Sequence, residues 1–414
     1  MKKVIMFTMG TRGDVQPYIF LSQALKKNGI SVTLGSHPCW RQLVEDAGIC
    51  FVPIGPDIDI EYEASVIRGK EKNPMMAMLK TMKFVFRIVE QSSKEVYQYS
   101  EGMDLMIVSH SHIGAAEAEA LHMKTIDVTL QTEAIGEPKK PVSPLKRFTN
   151  NLIWGLLNPV MMKPYNRLRK EYGLKKAKSM DQIASKSLNL IPISQYVIEK
   201  NPYWDDQNQL VGYWYDEDPK DYVPSQHLKD FLEAGEAPYI LALGAMSFEA
   251  VEEKQKLDIF IQAFSKTGKR AVIQGFKKSL EDYNLPDTMI AVDAIPHSWL
   301  FKRGACVIHH GGFGTSASAM LYGAPSIVIP HALDQFGMAE RLYKLGVAAK
   351  PLKAAALSLE TLVDQIHYID HNYETLSNCV KDLSERMSQE HGLDTAVAMI
   401  QNILNVGDKI ESNK

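Results

Sequence analysis

The densest group of residues able to do chemistry lies at 309–318, where the chain reads HHGGFGTSAS. Two histidines end an apolar run, three glycines follow, and the spacing predicts a helix that begins near Thr315. Unpaired N–H groups and the dipole at a helix start attract an anion, and small residues allow close approach. A neutral His310 can also donate to a phosphate oxygen. The loop therefore favours a diphosphate site; the alternative is a glycine turn that only packs strand against helix.

One strand later, Asp334 and Gln335 follow the apolar run SIVIP. The carboxyl ends of neighbouring parallel strands share one sheet edge, so this dipeptide is expected beside the glycine loop. A carboxylate and an amide can accept from and donate to sugar hydroxyls. The alternative is an aspartate that caps the next helix, with a glutamine beside it.

A second loop, GTRGDVQP at 10–17, lies between the run KKVIMFTM and a predicted helix over 17–28. It lacks the third glycine of a dinucleotide-binding fingerprint, and Asp14 at the helix start would repel a diphosphate. We therefore do not interpret this loop as a phosphate site. Asp14 is either a functional carboxylate or a capping residue of a helix whose first turn contains Pro17.

Alternating strand and helix signals must position these loops. Short apolar runs predict parallel strands with right-handed helical crossovers in both halves of the chain, including ISVTLGS, CFVPIG, DLMIVSH, TIDVTLQ, YILALG, RAVIQG, MIAVDA and ACVIHH. Residues 205–238 are rich in Asp, Pro and Gly and favour a linker, whereas 358–405 predict successive helices. We expect an α/β fold with two doubly wound Rossmann-like domains that face each other across an interdomain cleft.

The composition is that of an ordinary globular protein, with 414 residues, 45% of them hydrophobic and 23% charged. The net charge of −3 gives no general argument for nucleic-acid binding. Four cysteines without a CxxC pair predict small buried residues in a reducing compartment. Because neither a signal peptide nor an apolar run of ~18–20 residues is found, we expect a cytoplasmic protein.

The stretch from IPHSWLF to YKLGVA at 295–348 resembles the donor-binding signature of nucleotide-sugar glycosyltransferases of the two-domain GT-B fold. More narrowly, it resembles the sterol 3β-glucosyltransferase-like branch, which includes the glycopeptide-antibiotic glycosyltransferases. GTRGDVQP is similar to that branch's N-terminal loop, and residues 211–244 to its linker and first donor-domain strand. The resemblance implies an acceptor domain, a linker, a donor domain and a C-terminal helix and tail that packs back on the first domain, over 1–213, 214–236, 237–395 and 396–414.

The resemblance also implies roles for individual residues. The donor diphosphate is expected at Gly244, Ser247, His310, Gly312, Gly314 and Thr315. The uracil edge is expected at the backbone near Ile295 and His297, and the sugar hydroxyls at Asp334 and Gln335. The family's Gly-Ser-Met is replaced by Gly-Ala-Met at 244–246, and plant relatives have a Glu where this chain has Ser318. The choice between UDP and TDP therefore stays open.

An inverting transfer needs a base that takes the acceptor hydroxyl's proton. Plant-type relatives use a histidine in the N-terminal loop, but residues 1–36 contain none, and the resemblance assigns the base to Asp14. Partial desolvation would raise its pKa and make it a better base. Thr11 and Arg12 are expected to steady Asp14 or the leaving phosphate. The alternative bases or acceptor-lining residues are His110 and His112.

Two segments bear on the acceptor. Residues 73–89, NPMMAMLKTMKFVFRIV, are rich in Met and Phe and form either a large apolar acceptor site or helical core. Residues 139–178 carry eleven Lys or Arg against one acid, Glu171, around an apolar piece with Trp154. This segment either makes a weak peripheral contact with an anionic membrane or is a solvated helix surface.

The sequence thus predicts an inverting glycosyltransferase that needs no metal or cofactor. UDP-glucose is the favoured donor, and the acceptor is a hydroxyl of a hydrophobic molecule such as a sterol, triterpenoid, lipid, macrolide or flavonoid. Two alternatives stay open: a UDP-N-acetylglucosamine 2-epimerase-like enzyme, and a non-catalytic protein that binds a nucleotide sugar or lipid.

Overall fold

The computed structural model describes residues 1–58, 63, 74–215, 222–244, 250–280, 283–331 and 333–411. The chain divides into two compact units. The N-terminal unit comprises Met1–Tyr215 together with His391–Lys414, and the C-terminal unit comprises Asp216–Glu390.

The N-terminal unit is built on a parallel sheet of seven strands in the order β3-β2-β1-β4-β5-β6-β7. The strands are β1 Lys3–Phe7, β2 Ser31–Ser36, β3 Cys50–Pro53, β4 Leu105–Ser109, β5 Lys124–Val128, β6 Asn189–Ile191 and β7 Asn208–Leu210. The strand order reverses between β1 and β4, where ligands of such sheets bind at the carboxyl ends. Asp14 follows β1, and His110 and His112 follow β4.

Helices cover both faces of this sheet. They are α1 Arg12–Lys27, α2 Arg41–Asp46, α3 Pro74–Ser100, α4 Ala115–Ala120, α5 Pro144–Glu171 and, from the end of the chain, α14 Gly392–Glu411. On one face, the core joins Phe7 and Val108 of the strands to Ile88 and Val96 of α3. The last helix, α14, packs against α1.

The C-terminal unit has a parallel five-stranded sheet in the order β10-β9-β8-β11-β12, which reverses between β8 and β11. Its strands are β8 Tyr239–Ala242, β9 Ala271–Gln274, β10 Met289–Val292, β11 Cys306–His309 and β12 Ser326–Val328. Its helices are α6 Gln226–Glu233, α7 Ala250–Thr267, α8 Lys277–Leu280, α9 His297–Leu300, α10 Phe313–Leu321, α11 Leu333–Lys344, α12 Leu359–His371 and α13 Tyr373–Ser388.

The two doubly wound domains and the successive helices near the C-terminus are confirmed, but three expectations are wrong. α1 begins at Arg12 rather than at residue 17, because a capping box starts the helix inside GTRGDVQP. The segment 205–238 contains β7 and α6; both are too short to show periodicity, and Leu228 of α6 is buried in the core. Cys39 and Cys50 are exposed rather than buried.

Some expectations lie outside the described residues. These are Ser247, Asn73 at the start of the Met- and Phe-rich segment, and the linker residues 216–221. None of the described helices combines the length and apolarity that crossing a membrane requires.

Candidate active site

The glycine loop after β11 has a backbone that glycine makes possible. Gly311 has φ 86°, in the left-handed region, and a Cβ there would lie 2.9 Å from Val328 Cγ1 and 3.2 Å from the carbonyl oxygen of Gln335. Gly312 is the N-cap of α10 and offers no capping side chain. The first N–H groups of α10 therefore lack the side-chain acceptor that usually satisfies one of them.

The His310 ring lies against the backbone of two glycines. A Cβ on Gly312 would overlap Nε2 of His310, and a Cβ on Gly244 would lie 3.0 Å from its Cε1. Gly244 follows β8 and Gly312 follows β11, the two strands between which the sheet order reverses. Three predicted diphosphate residues are thus brought together at the switch point of the C-terminal sheet.

Besides His309 Nε2, two polar atoms near the start of α10 are buried without a hydrogen bond from any described residue. They are His310 Nδ1 and the Ser316 hydroxyl, and Ser316 is 0% exposed. Burial, with the nearby His331, lowers the pKa of His310 to about 4, so the ring is neutral at pH 7. A neutral imidazole donates from one nitrogen, and unsatisfied buried polar groups cost ~1–3 kcal/mol each. An oxygen-rich anion at this helix start would satisfy His310, whereas Ser316 has no exposed surface through which a ligand could reach its hydroxyl.

The neighbouring His309 has a structural role. Its Nδ1 accepts a hydrogen bond of 3.1 Å from the Gly311 N–H, which places the ring proton on Nε2. Burial, with the neighbouring His310 and His297, lowers the pKa of His309 to about 3. His309 therefore fixes the left-handed turn as a neutral ring.

Asp334 and Gln335 lie in the first turn of α11, but their surroundings differ. Gln335 is 4% exposed, and its Oε1 accepts a hydrogen bond of 2.8 Å from the His331 N–H. The side-chain carbonyl oxygen of Gln335 is thus already hydrogen-bonded to the loop after β12. Asp334 is exposed and better able to receive a sugar hydroxyl.

The residues predicted to meet the uracil are partly engaged within the protein. The Ile295 N–H donates to Gln274 Oε1 over 3.1 Å, and the His297 ring stacks on Phe301 with ring centres 4.3 Å apart. Contact between the uracil and residues 295–297 stays a prediction. It requires a group other than the Ile295 N–H, because that N–H is already hydrogen-bonded to Gln274. Gln274, at the end of β9, was missed by the sequence reasoning.

In the N-terminal unit, Asp14 is the third residue of α1 and part of a capping box with Thr11. Asp14 Oδ2 accepts hydrogen bonds from the Thr11 N–H over 2.8 Å and from its hydroxyl over 3.1 Å. The other oxygen, Oδ1, makes no hydrogen bond to a described residue. Thr11 therefore steadies Asp14 as expected, whereas Arg12 donates to Gln16 over 3.4 Å.

A buried carboxyl, that of Asp127, lies in β5. Burial raises the pKa of Asp127, in β5, to about 7, although its Oδ2 accepts the Ser185 N–H over 2.8 Å. Burial raises the pKa of Tyr18 in α1 well above its usual value, and the charges of Asp14 and Asp127 raise it further. Nothing in the strand pattern marked Asp127, because it sits within an apolar run.

His110 and His112 lie in the turn after β4, next to β1 in the sheet. The Nδ1 atoms of both rings are buried without a hydrogen bond from a described residue. Burial, with His110 beside it, lowers the pKa of His112 to about 4, and its backbone has φ 51°. A left-handed φ is uncommon outside glycine and often marks a functional turn.

His37 lies one residue beyond the N-terminal segment 1–36, which contains no histidine. It directly follows β2, on the other side of β1, and both His37 and Ser36 are 0% exposed. Three of their atoms, Ser36 Oγ, His37 Nδ1 and His37 Nε2, lack a hydrogen bond within the described residues. Burial lowers the pKa of His37 to about 4. Polar residues immediately after a predicted strand were the signal that could have found this pair.

Models of two protein families match the chain. Residues 4–135 match the glycosyltransferase family 28 N-terminal domain, and residues 268–391 match the erythromycin biosynthesis protein CIII-like C-terminal domain. O-mycaminosyltylonolide 6-deoxyallosyltransferase of Streptomyces fradiae is 27% identical over 96% of this chain and 97% of its own length. Sterol 3-beta-glucosyltransferase UGT80A2 of Arabidopsis thaliana is 27% identical over 92% of this chain, which spans 63% of that relative.

Solved structures share the fold at lower identity. The glycotransferase of kitacinnamycin has a TM-score of 0.76 and 14% identity, with 97% of this chain and 99% of that one covered. The Streptomyces sp. SF2575 glycosyltransferase SsfS6, complexed with thymidine diphosphate, has a TM-score of 0.68 and 18% identity, with 97% and 100% covered.

Proposed function

We propose that this glycosyltransferase of the GT-B fold, with its family 28 N-terminal domain and erythromycin CIII-like C-terminal domain, transfers a sugar from a nucleoside diphosphate sugar to a hydroxyl of a hydrophobic acceptor. UDP-glucose is the favoured donor. The transfer inverts the anomeric centre and needs no metal ion.

The observation that carries this proposal is the His310 ring seated between Gly244 and Gly312 at the start of α10. The leaving diphosphate gains negative charge as the sugar departs. The first N–H groups of α10 and the neutral His310 stabilise that charge. This arrangement supplies without a metal the stabilisation that other transferases take from a cation.

On the acceptor side, Asp14 is the base. The acceptor oxygen attacks C1 of the sugar and gives its proton to Asp14, while the bond from C1 to the diphosphate oxygen breaks. One displacement inverts C1. Thr11 holds Oδ2 of Asp14, so Oδ1 is the oxygen that takes the proton.

The proposal also specifies the chemical class of the acceptor. The relatives' names specify a sterol and O-mycaminosyltylonolide, and both relatives match almost the whole of this chain. Ile88 and Val89 near the middle of α3 are buried in the core, so these two residues are not open to an acceptor.

The test measures nucleoside diphosphate release from UDP-glucose and TDP-glucose, with and without sterol and macrolide acceptors. We expect release that depends on acceptor, a β-linked product from the α-linked donor, and unchanged rates in EDTA. Epimerised sugar without acceptor, or tight UDP binding without product, would contradict transfer. A rate abolished by EDTA would contradict metal independence alone.

A further inference from the structure

The first turns of α5 expose two large apolar side chains. α5 begins after Ser143, whose hydroxyl accepts the Lys146 N–H over 3.3 Å. Leu145 is 74% exposed and Phe148 is 67% exposed. Residues three apart on a helix lie on one face, so Leu145 and Phe148 form a small apolar patch.

Positive charge surrounds this patch. Lys146 and Arg147 lie between the two apolar residues in sequence and are also exposed. Within 139–178, four of the eleven cations are paired with acids: Lys139 with Asp206, Lys140 with Glu137, Arg167 with Glu90 and Arg169 with Glu119. The others have no ion pair among the described residues; they are Lys146, Arg147, Lys163, Lys170, Lys175, Lys176 and Lys178.

The far half of α5 is anchored in the N-terminal unit. Met162, Tyr165 and Leu168 are buried, and the Tyr165 hydroxyl donates to the Ser111 carbonyl over 2.8 Å. Ser111 lies in the turn between His110 and His112. The helix is therefore fixed at one end beside the proposed acceptor side and carries its exposed patch at the other.

We propose that residues 143–150 dock on the surface of an anionic lipid bilayer. Leu145 and Phe148 enter the boundary between headgroups and acyl chains, while Lys146 and Arg147 contact the lipid phosphates. A stable protein interface needs about 800 Å² on each partner. Two apolar side chains offer far less, whereas an apolar pair with adjacent cations suits a reversible lipid contact.

The docking surface does not rest on the proposed catalytic reaction, and its test is separate. The full chain is sedimented with vesicles of phosphatidylcholine mixed with phosphatidylserine, and with phosphatidylcholine alone. We expect binding to the mixed vesicles only, weakened by salt. Lys146→Glu with Arg147→Glu, and Leu145→Ser with Phe148→Ser, are each expected to weaken binding at least tenfold.

Matched controls remove the same groups from the C-terminal unit. Lys350→Glu with Lys353→Glu, and Tyr368→Ser, change exposed residues there and are expected to bind as the unmodified chain does. A Phe148→Trp variant is expected to shift its emission to the blue on mixed vesicles, whereas Tyr368→Trp is not. This readout does not depend on sedimentation.

Three results would overturn the proposal: no binding of the unmodified chain, equal binding of the Leu145 and Phe148 variant, or equal binding to uncharged vesicles. A dimer that the same substitutions dissociate, without lipid binding, would assign the patch to self-association instead. Unchanged UDP affinity of the variants keeps either outcome distinct from a failure of the proposed reaction.

Discussion

Thr11 holds one oxygen of Asp14 twice, through its N–H at 2.8 Å and its hydroxyl at 3.1 Å, and leaves the other oxygen without a bond to a described residue. The capping and catalytic readings of Asp14 therefore do not exclude each other. One oxygen begins α1, and the second is held in a fixed direction as an acceptor.

Asp14→Asn separates these two roles. An amide oxygen can still accept from Thr11, but it cannot take a proton, so we expect stability and UDP affinity to be kept. Turnover is expected to fall ~10²–10⁴-fold, the usual contribution of a general base. Single-turnover assays with thermal melts would measure both.

The control is Thr11→Ala, which removes the cap and is expected to cost about 1 kcal/mol of stability with a smaller loss of turnover. Near-normal turnover of Asp14→Asn would move the base to His110 or His112.

Gly312→Ala and Gly314→Ala form a matched pair in the glycine loop. A Cβ on Gly312 would overlap the His310 ring, whereas a Cβ on Gly314 would meet no atom within 4 Å. We expect Gly312→Ala to displace the ring and weaken UDP binding at least tenfold. Gly314→Ala is expected to keep stability, because alanine favours a helix over glycine. An unchanged UDP affinity of Gly312→Ala by calorimetry would count against the assigned role of His310.

His310→Ala tests the unsatisfied ring nitrogen directly. A hydrogen bond to a charged group contributes ~1.5–3 kcal/mol, so the substitution is expected to weaken UDP binding about tenfold or more. Because His310 Nδ1 has no partner within the described residues, the free protein should lose little stability through hydrogen bonding. Loss of stability without loss of UDP affinity would make His310 structural.

The buried histidines predict a decline of stability in acid. Burial is the main cause that lowers the pKa of five rings from 6.5 to about 3 or 4: His37, His112, His309, His310 and His331. The unfolded chain binds more protons between about pH 4 and 6.5, so stability falls as pH falls through this window and levels off above it. Denaturant unfolding at several pH values measures this slope.

Asp127 opposes this trend. Burial raises its pKa from 3.8 to about 7, so its contribution is present in acid and is lost as pH rises towards 7. Burial also raises the pKa of Glu117, but two such carboxyls oppose five histidines, so the net slope keeps its sign. His37→Leu is expected to flatten the slope, and a stability that rises on acidification would contradict the neutral state of these rings.

Much of the fold was predictable because buried parallel strands are continuous apolar runs, as in β1 and β11. β7 was missed within the supposed linker because it is only three residues long and two of them, Asn208 and Gln209, are polar. Asn208 accepts a hydrogen bond of 2.8 Å from Asn189, which in turn accepts from Thr129 over 2.9 Å. A buried polar ladder has no signature in hydropathy.

The location of the candidate site was predictable where a polar residue follows a strand directly, as His310 follows β11. It was not predictable where tertiary contact decides a side chain's role. Gln335 is an example, because its carbonyl oxygen turns back to the His331 N–H, and Gln274 is another, because it caps the Ile295 N–H.

The last helix makes the N-terminal unit discontinuous in sequence, with consequences for anyone exchanging parts between relatives. α14 returns from the C-terminal unit and buries Ala396, Val397 and Ile400, and a Cβ on its first residue, Gly392, would lie 2.6 Å from the Gly212 carbonyl oxygen. A chimaera made with one crossover near residue 215 would thus inherit α14 from the wrong parent. Two crossovers, near residues 215 and 391, would keep all residues of each hydrophobic core from the same parent protein.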